Sequence, residues 1–103
     1  MSSEAAFLTL CEALAARGLP MLSAMLIVAA DMGVAQDSRT FARHLGVEHA
    51  LALRELVAME EETRLVVITR RDSRSQRLHF TLTEAAVSLL AHAKAEAGGA
   101  DQP

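Results

Sequence analysis

The stretch DSRTFARHLGVEHALALRELVAME, running from Asp37 to Glu60, decides how this chain is read. Asp37 and Ser38 can both accept hydrogen bonds from the free amides of a first helical turn, and Gly46 is placed to leave that turn in a left-handed conformation. The residues between them form a short third helix, with Phe41, Ala42 and Leu45 inward. A fourth helix starts near Glu48 after only Gly46 and Val47, which is helix-turn-helix spacing. It ends between Glu61 and Arg64. Its period points Ala50, Leu53, Leu56, Val57 and Met59 inward, with His49, Ala52 and Glu55 outward.

Upstream, Phe7, Leu10, Cys11 and Leu14 recur at three- and four-residue steps and predict helix one over Ser3 to Arg17. Gly18 ends it. Pro20 suits the start of helix two, which extends to about Met32 with Leu22, Met25, Leu26 and Ala29 as one stripe. Met21, Ile27 and Val28 widen that apolar surface, so helix two is expected at the centre of the core. Downstream, Leu65-Val66-Val67-Ile68-Thr69 is rich in β-branched residues, and Leu78, Phe80 and Leu82 alternate with polar neighbours at a period of two. These are two strands of a hairpin, whose tip is the polar run Arg70 to Arg77. Thr83 can cap a last helix from Glu84 to about Glu96, with Ala86, Leu89, Leu90 and Ala93 inward. The expected class is α+β, mostly α: a winged helix-turn-helix with a two-stranded antiparallel wing hairpin and flanking N- and C-terminal helices. One domain covers residues 1–97, and 98–103 is a flexible tail.

The chain has 103 residues, 51% hydrophobic, which can form one modest core without disulfides. The one cysteine, Cys11, cannot form an internal bridge and lies on the apolar stripe of helix one, where it reads as a small buried hydrophobe. This favours a reducing, cytoplasmic setting. Leu19 to Ala30 is too short and too interrupted to span a bilayer, and no basic residue precedes the first apolar ones as a secretory signal requires. No metal or other cofactor is expected: His44 and His49 are off the four-residue step of a helical metal pair. No catalytic constellation or Gly-rich phosphate loop is present, so an enzyme is not expected.

The net charge is −3, yet eight of the ten basic residues lie between Arg39 and Arg77, so positive charge is segregated. Arg70, Arg71, Arg74 and Arg77 crowd the hairpin tip. Guanidinium forks match phosphate oxygens and enter narrow minor grooves, although a hairpin tip is solvated in any case. On helix four, His49 and Arg54 are the candidates for base edges, while Arg39, Thr40 and Arg43 on helix three are placed to meet the backbone. Arg43 and Arg54 could equally balance Glu48 or Glu55 at the surface. With no Trp or Tyr, stacking platforms for single strands are scarce, which favours duplex DNA.

From Ser38 to Leu90 the chain resembles the multiple antibiotic resistance regulator (MarR) family of bacterial repressors. The resemblance lies in Thr-Phe-Ala-Arg-His-Leu-Gly from Thr40 to Gly46, Leu-Val-Ala-Met-Glu from Leu56 to Glu60, the wing motif Asp72-Ser73-Arg74, and Leu82-Thr83-Glu84-Ala85. Glu60-Glu61-Glu62 stands where the family commonly has a glycine-containing turn. The resemblance implies a homodimer on a palindromic site, with the recognition helix, Val47 to about Glu60, in the major groove and the wing arginines along the flanking backbone or minor groove. Helices one and five, with Phe7, Leu8, Leu10 and Leu14, offer the apolar surface for such a dimer. The alternative is an interaction module that does not bind DNA by itself, recruiting a protein partner through Glu60-Glu61-Glu62 and helix one.

Overall fold

The computed structural model describes residues 3–99. Five helices and one hairpin follow in the order α1 (Ser3–Ala15), α2 (Met21–Asp31), α3 (Ser38–Leu45), α4 (His49–Ala58), β1 (Val66–Asp72), β2 (Arg77–Leu82) and α5 (Glu84–Gly99). The class is α+β and mostly helical, with a two-stranded antiparallel sheet flanked by helices.

The caps show why the central helices begin and end where they do. Asp37, extended at φ −148°, accepts the Thr40 N–H at 2.9 Å and the Thr40 hydroxyl at 2.8 Å. Gly46 leaves α3 at φ 67°, a left-handed conformation that costs a Cβ-bearing residue roughly 1–2 kcal/mol. Three residues later α4 starts, its Glu48 N-cap providing no side-chain bond. Pro20 occupies the N-cap of α2 and not its first turn.

α4 does not end at Ala58 but widens into a π-turn over Met59–Thr63, closed by Arg64 at φ 57°. Arg64 thus takes a left-handed position of the kind that glycine most often fills at a helix end. The extra residue of a π-turn rotates the chain before β1. It also brings Glu60 back onto the strand, where its carboxylate accepts the Ile68 N–H at 2.7 Å. Thr83 ties the far end of the hairpin, donating its hydroxyl to the Arg64 carbonyl at 2.8 Å while its oxygen accepts the Ala86 N–H at the start of α5.

One apolar core runs from Leu10 in α1 to Ala93 in α5 and includes Leu14, Leu26, Ile27, Val28, Phe41, Leu56, Met59, Val66, Leu78 and Phe80. α2 lies at its centre, with Ser23, Ala24 and every residue from Leu26 to Ala29 buried. α1 packs on both α2 and α5, while α3 packs on α4 and β2. Each large aliphatic side chain removed from water contributes roughly 1.5–3 kcal/mol, so this shared core dominates the favourable energy of folding.

Several expected orientations are corrected. Along α4 the buried residues are Ala52 and Leu56, whereas Ala50 is exposed. Small Ala52 is inward because α4 lies close against α2, where the buried Ser23 hydroxyl donates to Glu55. Glu55 is therefore half-buried and not at the outer surface. Met21 is exposed at 45%, turned away from the core that the rest of α2 fills. The polar run Arg70–Arg77 is not all loop. Strand pairing continues to Asp72 and Arg77, and only Ser73–Gln76 turns. Polar side chains on a two-stranded ribbon remain solvated, so a lack of apolar residues did not mark where pairing stops. Gly98 and Gly99 continue α5, and the rest of the expected tail, 100–103, lies outside the described residues.

Candidate functional site

Two adjacent acceptors, Asp37 and Ser38, anchor the region where α3, α4 and the hairpin meet. The fully buried Ser38 hydroxyl accepts the Leu78 N–H at 2.9 Å, linking α3 to β2. It lies 2.7 Å from His49 Nε2 at the start of α4. With one lone pair committed to Leu78, the hydroxyl keeps a proton and a second lone pair for the ring: it donates to Nε2 when the ring carries its hydrogen on Nδ1, and accepts when Nε2 is protonated. One serine oxygen thereby joins three elements. Beside it, Gln36 accepts the Phe80 N–H at 3.1 Å, and Asp37 forms an isolated antiparallel bridge with His79.

The same junction arranges charge. Arg39 donates from Nε to the Ser75 carbonyl in the hairpin turn at 2.8 Å, which positions its guanidinium between α3 and the turn. Arg77 reaches Asp37 at 3.5 Å. Arg39, Arg43, His49 and Arg77, with Ala42 and Val47, line a recess of about 400 Å³. Burial of His49 holds its pKa below the ordinary histidine value, assisted by the cations of Arg39 and Arg77 and opposed by Asp37. Burial alone would raise the pKa of Asp37, but the Thr40 N–H and hydroxyl, with Arg77 and His79 nearby, outweigh it and keep the carboxyl below its usual value.

Of the residues singled out in the sequence, four therefore converge: Arg39, Arg43, His49 and Arg77. Arg70 is placed elsewhere, donating to His79 Nε2 at 2.9 Å across the hairpin. Arg71 and Arg74 are exposed, Arg71 on β1 and Arg74 in the turn. That turn is ordered by Asp72, whose carboxylate accepts the Arg74 N–H at 3.1 Å and is held below its usual pKa chiefly by that bond. Thr40 has its hydroxyl committed to the Asp37 cap. Arg54 is exposed on α4 and lies outside the recess.

No family model, curated protein or solved structure matches this chain. Function must be argued from its own residues. Among the described residues the ion pairs are Arg17–Glu96, Arg77–Asp37 and Lys94–Asp31, so neither Arg43 nor Arg54 is neutralised by Glu48 or Glu55. No cluster of metal-ligating side chains occurs among these residues, and no helix is long and apolar enough to cross a membrane.

A second concavity, about 790 Å³, lies between α1, α2 and the end of α3. Phe7, Leu8, Met21, Met25, Met32 and Val34 give it an apolar lining. Cys11 reaches its floor but is only 1% exposed, and burial pushes its thiol up to about 11, with Glu12 adding to the effect. This thiol stays protonated and packs as a small apolar group.

Ser38 is the site residue that sequence reading missed. It was legible as a helix cap, but its partners are 11 and 40 positions away. A polar residue directly after a better cap, at the first helical position, was the only local sign that it served another purpose.

Proposed function

We propose that the chain is a sequence-specific regulator that binds duplex DNA as a homodimer, a winged helix-turn-helix with α4 as recognition helix and the hairpin as wing, of the MarR-like kind. The observation that supports this best is the convergence of Arg39, Arg43, Arg77 and His49 on one recess at the junction of α3, α4 and the hairpin. Arg71 and Arg74 extend the same charge along the exposed ribbon. Guanidinium groups in the recess and along the ribbon suit phosphates flanking a major groove occupied by α4. Arg54, exposed on α4, is the base-edge candidate, His49 being held by Ser38 in the recess, and Arg70 adds to the wing charge.

Dimerisation would proceed through α1 and α5, where Leu8 and Val87 are left 59% and 56% exposed. The test is binding of the purified protein to DNA upstream of its own gene against random duplex at two salt concentrations. Wild type is compared with a variant in which Arg70, Arg71, Arg74 and Arg77 are alanine. Binding that weakens with salt, prefers the upstream sequence and is lost in the variant supports the reading. Absence of wild-type binding sinks it.

The alternative, a module that recruits a protein and does not bind DNA by itself, draws on the Met-lined concavity beside α1. The acidic edge contributes less to it than expected, because Glu60 is spent on the Ile68 N–H and only Glu61 and Glu62 are exposed. Recovery of a stable partner by a protein whose wing arginines are dispensable would favour this alternative.

A further inference from the structure

The recess at the α3–α4–hairpin junction has a feature that phosphate binding alone does not require: a histidine seated among three arginines. His49 is faced by Ser38, Asp37 and Arg39 from α3 and its cap, and by Arg77 from β2; Arg43 lines the same recess, and Glu48 precedes it at the cap of its own helix. In the free protein partial burial, with the cations of Arg39 and Arg77 adding to it, lowers the ring's pKa and so favours its neutral form. An oxyanion entering among Arg39, Arg43 and Arg77 cancels the field that opposes protonation.

Ser38 is built for either state of the ring. To a bare Nε2 its hydroxyl donates; to Nε2–H, as in the imidazolium, its second lone pair accepts, while the first still holds the Leu78 N–H. Gaining the proton therefore need not undo the link between α3, α4 and β2.

We propose that the recess framed by Arg39, Arg43, His49 and Arg77 seats one backbone phosphate of DNA, and that His49 takes up a proton with it. The inference rests on the DNA-binding reading and gives it a regulation: affinity rises as pH falls through the neutral range. Linkage fixes the sign and the ceiling. If the bound complex holds one more proton than the free partners, affinity increases on acidification by up to about tenfold per pH unit.

The experiment follows the ring C–H signals of His49 in wild-type protein by NMR titration at constant ionic strength, with His44, His79 and His92 as internal references. It is run in chloride, in sulfate, which stays an oxyanion throughout, and with a short random duplex. In parallel, duplex affinity is measured between about pH 8 and pH 6, the range in which histidine titrates, for wild type and His49→Gln. Both sulfate and duplex are expected to raise the His49 midpoint. Wild-type affinity rises on acidification, and that of the variant is much flatter. A midpoint unmoved by sulfate and by duplex, or equal pH dependence in wild type and variant, overturns the proposal. If sulfate moves the midpoint but no duplex binds at any pH, the oxyanion seat stands and the DNA reading falls. If duplex binds without moving the midpoint, the DNA reading stands and the proton-linked seat falls.

Discussion

The α1–α2–α5 side of the molecule and the α3–α4–hairpin side share one core but are held together differently. On the first side, helices meet through apolar side chains, and the ion pairs Arg17–Glu96 and Lys94–Asp31 lie at the periphery. On the second, elements distant in sequence are joined by particular polar bonds: Ser38 to Leu78 and His49, Arg39 to Ser75, Glu60 to Ile68. Apolar packing is non-directional and tolerates sliding, whereas a hydrogen bond fixes a donor and an acceptor to a few tenths of an ångström. The core they share supplies most of the stability, and the polar bonds of the second side fix the spacing of charged groups.

The strongest way to break this contrast is Leu14→Ala, which removes a fully buried side chain where α1 meets the core. Urea unfolding should show a loss of about 2–5 kcal/mol, a large part of the total for a small domain. If the loss were below about 1 kcal/mol, the core would not carry the stability assigned to it.

A smaller effect is expected from Ser38→Ala. It leaves the buried Leu78 N–H without its acceptor, which costs about 1–3 kcal/mol, and it frees His49. Apolar packing should survive, so near-ultraviolet signals of the core should change little while amide exchange at Leu78 accelerates. Unchanged exchange at Leu78 would remove Ser38 from its linking role.

The mildest probe is pH, through the lowered pKa values of His49 and Asp37 on the polar side. His49 has a lowered pKa in the folded state, so the unfolded chain binds more protons there. Its contribution is fully present above the ordinary value of 6.5 and is lost as pH falls through the lower folded value. Asp37, also lowered, contributes above 3.8 and loses that contribution in stronger acid. The urea midpoint should therefore fall in two stages on acidification, and His49→Gln should abolish the first. A wild-type midpoint constant from neutral pH to well below the histidine range would contradict this assignment.

Much of the architecture was legible locally. The cap at Asp37, the left-handed exit at Gly46, the alternation of Leu78 and Phe80 and the cap at Thr83 each depend on residues within a turn or a strand of one another, and each is present. The orientation of α4 was not. Its apolar residues nearly encircle the helix, so periodicity could not tell Ala50 from Ala52, and contact with α2 decided between them. The hairpin length was hidden because its outer half has no apolar pattern to read.

By itself, the sequence determined the order of the elements and the crowding of basic residues between Arg39 and Arg77, since caps, periodicity and composition are properties of neighbours along the chain. Which of those arginines share a recess, and that the buried Ser38 hydroxyl holds His49 beside them, only the tertiary structure decided. The recess depends on bringing α3, α4 and β2 together across tens of residues, and no local pattern encodes the distance between groups that meet only when the core closes.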